Sequence, residues 1–367
     1  MLDDRNAAEL AIVDPRDAAE SVGLVYVSDE EPGIRRRKAG KGFSYQRQGK
    51  AIKDSAILKR IKSLAIPPAW TDVWICSKAN GHIQATGRDA KNRKQYRYHP
   101  EFRGVREGVK FEHLMQFARL LPKIRAQVSE HMALRGLPRE KVLATTVHLL
   151  ETTLIRVGNE DYARTNKSYG LTTLQDSHVK VNGSELRFKF QGKSGKTWRL
   201  RVNDRRVAKI VKACQDLPGQ ELLQYVGENG TTQDVKSTDI NSYLKEITGQ
   251  EVTAKDFRTW AGTVLAAMAL HEFESFDGHA KAKKNVRNAI ERVAARLGNT
   301  PTICRKCYVH PEILNSYLSG SFLLEVKDEV DTGLRDELAD LRPEEAAVMA
   351  LLRVRLARAL GGNGASR

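Results

Sequence analysis

The sequence predicts an α+β protein: a small, β-rich N-terminal domain, then a longer, mostly helical domain that carries a three-stranded β-meander. Three observations lead there. Short runs with apolar residues at every second position occupy residues 23–105. Apolar residues spaced three and four apart dominate residues 106–367, and period two returns once within them, at residues 178–202. Residues 1–22, MLDDRNAAELAIVDPRDAAESV, are acidic early and have no long apolar run. They are expected to form a mobile arm with neither a signal peptide nor a membrane span, which points to an intracellular protein.

In the first domain LVYVS, at 24–28, reads as a strand, and the cation-rich GIRRRKAGKGFSYQ after it reads as a basic turn. VWICSK at 73–78 and HIQATGRD at 82–89 form a hairpin around Asn80 and Gly81. Arg88 to His99, RDAKNRKQYRYH, interleaves cations with Gln95, Tyr96 and Tyr98. Strand alternation places Tyr96 and Tyr98 on one face and Arg97 on the other. Cations for phosphate beside amide and phenol groups suit a groove-reading element. The same pattern also fits a solvated basic strand whose tyrosines pack on the core.

Beyond residue 104, FEHLMQFARLLPKIRAQVSEHM and REKVLATTVHLLETTLIR have amphipathic helical spacing. The second delivers Arg156 at its C-terminal end, where Gly158 is suited to stop the helix. HVKV, ELRFKF and TWRLRV follow, joined by Asn182-Gly183 and by QGKSGK, and form the meander. Lys193 and Lys196 stand at its second tip. Five further helical stretches complete the chain: DRRVAKIVKACQDL, STDINSYLKEITG, AKDFRTWAGTVLAAMALHEF, KNVRNAIERVAARLG and EEAAVMALLRVRLARAL. Lys255 and Arg258 share one face near the start of the third.

Charge narrows the function. Lys and Arg number 61 against 45 Asp and Glu, a net charge of +16. That exceeds the roughly 2 to 8 typical of a small soluble design, so a polyanion is the expected partner. GKS and GKT invite a phosphate-loop reading, but Arg187 and Phe190 stand where its first glycine would be, and nucleotide binding by such a loop is excluded. Cys304 and Cys307 form a lone CxxC without a second half at metal-site spacing, so no metal is expected. In Leu297 to His310, LGNTPTICRKCYVH, Tyr308 sits among small, polar and cationic residues, and Pro301 should open a turn or helix. A phenol titrates near ~10 and becomes a nucleophile when nearby charge stabilises its anion.

Taken together, these residues resemble the poxvirus-type and bacterial type IB DNA topoisomerases, a family related to the tyrosine recombinases. The resemblance runs from GKGFSY at 40–45 through Tyr308. Arg156 in LIRVGNEDY matches the family's first arginine, Lys193 in FQGKSGK its hairpin lysine, Arg258 in AKDFRTW its second arginine, and Tyr308 its nucleophile. Asn299, nine residues before Tyr308, stands where the family usually carries histidine. The resemblance further implies DNA contacts by Gln95, Tyr96, Tyr98, Tyr162 and Lys255.

It also implies a monomer that closes as a clamp around duplex DNA, acting in the cytoplasm on chromosomal DNA without nucleotide, metal or other cofactor. Residues 23–105 would be the DNA-binding domain and residues 106–367 the catalytic domain. The implied reaction is strand cleavage through a 3′-phosphotyrosyl intermediate, swivelling and religation. Two rival readings remain: a tyrosine recombinase, and a DNA-binding protein without catalysis. The β-rich front domain and the lack of a histidine two or three residues before Arg258 argue against the first. The second has no use for a complete reacting set.

Overall fold

The computed structural model describes residues 15–273, 278–322 and 338–362. The chain forms two compact units, Met1–His113 and Leu114–Arg367. In the first, a short helix α1 (Pro15–Glu20) precedes strands β1 (Ile34–Ala39), β2 (Gly42–Arg47) and β3 (Lys50–Ala51). Helix α2 (Ser55–Ser63), then β4 (Thr71–Ile75), β5 (Ile83–Arg88) and β6 (Lys94–Tyr98) follow. The six strands form one sheet in the order β3-β2-β1-β4-β5-β6. Asp54 caps α2 by accepting from the amides of Ala56 and Ile57, at 2.8 and 3.1 Å. Ile61 of that helix buries against Ile34, Val73, Ile75 and Ala85 of the sheet.

Three details differ from expectation. The part of the expected arm among the described residues is α1, whose Ala18 and Ala19 are buried with Leu24 and Phe102; residues 1–14 lie outside the described residues. LVYVS is not a strand: Val25 makes a single isolated bridge, to Gly81, and Tyr26 turns out to stack on His82. The basic turn is instead the β1–β2 hairpin, paired from Ile34↔Arg47 to Ala39↔Gly42. Its cations hide the alternation without preventing pairing. Arg36 lies over the Phe43 ring at 4.2 Å and donates to the carbonyls of Pro67 and Trp70, so this charge serves the fold. The β4–β5 hairpin forms as expected.

Helix α3 (Pro100–His131) contains the boundary between the units and runs through Pro122. Helices α4 (Arg139–Thr153) and α5 (Glu160–Asn166) lead to the meander of β7 (Val179–Asn182), β8 (Glu185–Gln191) and β9 (Thr197–Asn203), in the order read from sequence. Helix α6 (Arg205–Gln215) and a small hairpin, β10 (Gln224–Val226) with β11 (Thr232–Asp234), precede α7 (Ser237–Thr248), α8 (Ala254–His271) and α9 (His279–Leu297). The described chain ends with α10 (Pro301–Cys307), α11 (Pro311–Leu318) and α12 (Pro343–Gly362). No helix among the described residues is long and apolar enough to cross a membrane.

Helix α12 is docked through charge as well as apolar burial. Arg125 of α3 donates both terminal nitrogens to Glu345, at 2.9 and 2.7 Å, and its Nε to Glu151 of α4 at 2.9 Å. Trp260 of α8 adds a hydrogen bond to Glu345 at 3.3 Å. Burial alone would raise the Glu345 carboxyl, but Arg125 outweighs it and holds the group below its ordinary 4.5. The contribution to stability is therefore full above that value and fades as the pH falls through the lowered one. Glu345→Gln leaves Arg125 underpaired in a mostly buried network and should cost about 3 kcal/mol in denaturant unfolding at neutral pH. The deficit should shrink in acid.

Candidate active site

Four segments converge around Tyr308. The first leaves α4, which ends at Thr153 because Leu154 adopts a left-handed conformation (φ 59°) and returns its amide to Leu150. The expected stop at Gly158 is thus corrected: the helix ends earlier, and Arg156 lies in the segment beyond it. Gly158 (φ 120°) serves close packing. A Cβ on Gly170 would stand 2.6 Å from the Gly158 Cα and from the Arg156 carbonyl oxygen. That carbonyl accepts from Leu171 at 2.9 Å, which pins the backbone beneath the Arg156 side chain.

The second segment is the start of α8. Arg258, on its second turn, is buried at 3 % exposure and donates to the carbonyls of Leu154 and, at 2.7 Å, Leu297. Its Cζ lies 5.4 Å from the centre of the Tyr308 ring. Burial pushes this guanidinium down to about 10, with Arg156 acting in the same direction and Tyr308 opposing. It therefore remains a cation at neutral pH. Burial also lowers Arg156, again against Tyr308.

The third segment is the turn after α9. Gly298 ends that helix at φ 63°, and Asn299 returns its amide to Ala294 at 2.9 Å. Arg156 Nη2 donates to the Gly298 carbonyl at 3.2 Å and to Asn299 Oδ1. With its oxygen engaged, the Asn299 amide turns its nitrogen the other way. Asn299 Nδ2 and Arg258 Nε are both buried and lack a hydrogen-bond partner among the described residues. Two desolvated N–H donors without acceptors are costly unless a ligand supplies the oxygens.

The fourth segment carries Tyr308. Thr300 caps α10 and Pro301 occupies its first turn, so the helix option for Pro301 is the one adopted. Tyr308, half-buried, donates its amide to Cys304 at 2.9 Å, and its carbonyl accepts from Thr263 at 3.4 Å. Gly262 of α8 makes this approach possible. A Cβ there would collide with the Tyr308 carbonyl oxygen and stand 3.1 Å from the Tyr308 Cβ. Gly262→Ala should therefore push Tyr308 outward and cost about 1–3 kcal/mol of stability; with Tyr308 as the nucleophile that the resemblance implies, cleavage should also slow by roughly 10²-fold, because ångström displacements of a reacting group cost that much. Single-turnover cleavage at a temperature where the variant is fully folded would measure the second effect.

Lys255 is exposed one turn before Arg258, and Lys193 is exposed at the β8–β9 tip. Tyr162, 42 % exposed, lies on α5, whose cap is Asn159. Gln95, Tyr96 and Tyr98 belong to the other unit. Tyr96 and Tyr98 share a face of β6 with rings 5.8 Å apart and nearly parallel, and Tyr98 packs against Phe102. Gln95 alternates to the Arg97 side and donates to Asp89 at 3.0 Å.

The chain's matches to known proteins span Arg156, Lys193, Arg258, Asn299 and Tyr308 and leave residues 90–98 between the two family models. Residues 99–326 match the model of the eukaryotic DNA topoisomerase I catalytic core, and residues 42–89 that of the bacterial DNA topoisomerase IB N-terminal domain. DNA topoisomerase 1B of Acanthamoeba polyphaga mimivirus is 33% identical over 317 residues, 83% of this chain and 94% of that protein. The chain belongs to the type IB DNA topoisomerases. DNA topoisomerase 1B of vaccinia virus is a more distant relative, 22% identical over 281 residues, 74% of this chain and 85% of that protein. DNA topoisomerase I of monkeypox virus stands at the same identity and coverage.

In this type IB topoisomerase the structure brings Arg156, Arg258, Asn299 and Tyr308 together. Sequence reasoning missed Leu154, Gly262 and Thr263, which place them. Gly262 left a signal: glycine inside a strongly helical stretch costs about 1 kcal/mol relative to alanine and needs a packing reason.

Proposed function

We propose that this topoisomerase relaxes supercoiled duplex DNA by a metal- and ATP-independent transesterification at Tyr308. The Tyr308 oxygen attacks a backbone phosphate in line and releases its proton to solvent. The new P–O bond forms as the bond to the 5′ oxygen breaks, leaving a 3′-phosphotyrosyl link. One phosphodiester replaces another, so no external energy source is needed. Arg156, Arg258 and Asn299 meet the charge on the nonbridging oxygens, and Lys193 protonates the departing 5′ oxygen with assistance from Lys255. In the return step Lys193 accepts the proton of the 5′ hydroxyl, which attacks once the broken strand has swivelled.

A basic β-rich domain, residues 23–105, and a catalytic domain, residues 106–367, close as a clamp around the duplex. Tyr96, Tyr98 and Gln95 serve the first, and Tyr162 and Lys255 the second. The enzyme acts as a monomer on chromosomal DNA in the cytoplasm.

The observation that supports this reading most is the pair of buried, unpartnered donors, Arg258 Nε and Asn299 Nδ2, in the pocket of Tyr308. Supercoiled plasmid incubated with the protein in EDTA without ATP should relax. Denaturant quenching should trap protein on the 3′ side of a nick. Relaxation without a covalent adduct, or an adduct on the 5′ side, would overturn the mechanism.

A further inference from the structure

One side chain outside the reacting set touches the backbone next to two members of it. Trp198, on β9, lies between two glycines. A Cβ on Gly192 would stand 2.6 Å from the indole Nε1 and 2.7 Å from Cδ1, and one on Gly298 would stand 2.6 Å from Cζ2. The five-membered ring therefore covers Gly192, and the six-membered ring covers Gly298. Gly192 immediately precedes Lys193. Gly298 immediately precedes Asn299, and its carbonyl accepts from Arg156 at 3.2 Å. Phe190, the cross-strand partner of Trp198, holds the indole from the hairpin side, with rings 6.1 Å apart and 1° from parallel.

The tip beyond this plate is tightly built. The Gly192 amide donates to Lys196 at 2.8 Å, and the Gly195 amide to Gly192 at 3.1 Å. Ser194 and Gly195 take left-handed conformations, at φ 65° and 72°. Lys193 leaves this rigid turn as an exposed side chain, so its reach depends on where the turn is held. The Gly298 contact holds the turn against the Arg156–Asn299 wall of the pocket.

We propose that Trp198 is a positioning residue for leaving-group protonation: its indole sets the distance between the Lys193 tip and the phosphate pocket. The inference rests on the proposed role of Lys193 as general acid. Its signature is selectivity for one step. Losing the plate should impair proton delivery to the 5′ oxygen while leaving attack by Tyr308 and stabilisation of the phosphate largely intact.

The test uses the full-length protein and two duplexes that differ only at the scissile linkage, one with a 5′ oxygen and one with a 5′ sulfur, at a cleavage position mapped with the wild type. A thiolate departs without a proton. Trp198→Phe keeps a ring opposite Phe190 but cannot cover both glycines. Gly192→Ala is a second variant, since φ −98° tolerates alanine and only the indole is displaced. Both should slow single-turnover cleavage of the oxygen substrate by roughly 10²-fold, the cost of a misplaced acid, and change the sulfur substrate little.

Lys193→Ala is the control for the underlying reading and should show the same selectivity more strongly. If Lys193→Ala slows both substrates alike, the general-acid assignment fails, and this inference with it. If Lys193→Ala is selective but both other variants slow the two substrates equally, or neither, Trp198 does not position the acid.

Discussion

Tyr308→Phe should abolish plasmid relaxation and covalent adduct formation while leaving duplex binding close to wild type. The phenol oxygen is the atom proposed to bond phosphorus, and deleting a nucleophile of this kind costs on the order of 10⁵-fold or more. The rest of the pocket survives the change. Tyr308 is held through its backbone, by its amide on Cys304 and its carbonyl on Thr263, and a phenylalanine ring keeps the place beneath Arg258. Binding measured by gel shift and adduct measured after denaturation separate the two effects. Residual adduct at a rate near that of the wild type would mean that another residue is the nucleophile.

Asn299→Asp should be the second most damaging substitution, slowing cleavage by roughly 10³-fold. The two side chains have nearly the same shape, and an aspartate oxygen would still accept from Arg156 as Asn299 Oδ1 does. The difference lies on the other side of the group. There the asparagine presents an N–H that has no partner among the described residues, and an aspartate would present a negative oxygen to a negative phosphate. Asn299→His should instead stay close to wild type, because a neutral imidazole can accept from Arg156 with one nitrogen and donate with the other. An aspartate variant within an order of magnitude of wild type would show that this amide does not face the reacting phosphate.

Much of the site was legible as separate signals and little of it as an arrangement. Arg156, Lys193, Arg258, Asn299 and Tyr308 stand in local motifs that survive without any knowledge of folding. The bond from Arg156 to Asn299 spans 143 residues, and no local pattern announces it. Thr263 and Gly262 escape for the same reason, since their work is done on a segment far along the chain. In the fold, the meander was readable because turns at Asn182-Gly183 and Gly192 to Lys196 separate runs of clean alternation. The β1–β2 hairpin was not, because four consecutive cations from Arg35 to Lys38 mask the period. The end of α4 was misplaced at Gly158 because Leu154, a residue with no preference for the left-handed region, makes the turn, and its carbonyl then accepts from Arg258, 104 residues along the chain.

Cys304 lies fully buried one turn before Tyr308, close enough to feel the charge of Arg258, yet burial dominates and pushes its thiol up to about 11. An ordinary thiol ionises near ~8.5, ahead of an ordinary phenol near ~10. A cysteine open to water at this position would therefore offer the pocket a softer anion in competition with the tyrosine. Keeping the sulfur protonated and enclosed removes that rival and spares it from oxidants and alkylating agents. The pocket thus withholds the Cys304 sulfur from solvent, while Cys307, directly before Tyr308, stays partly open to it.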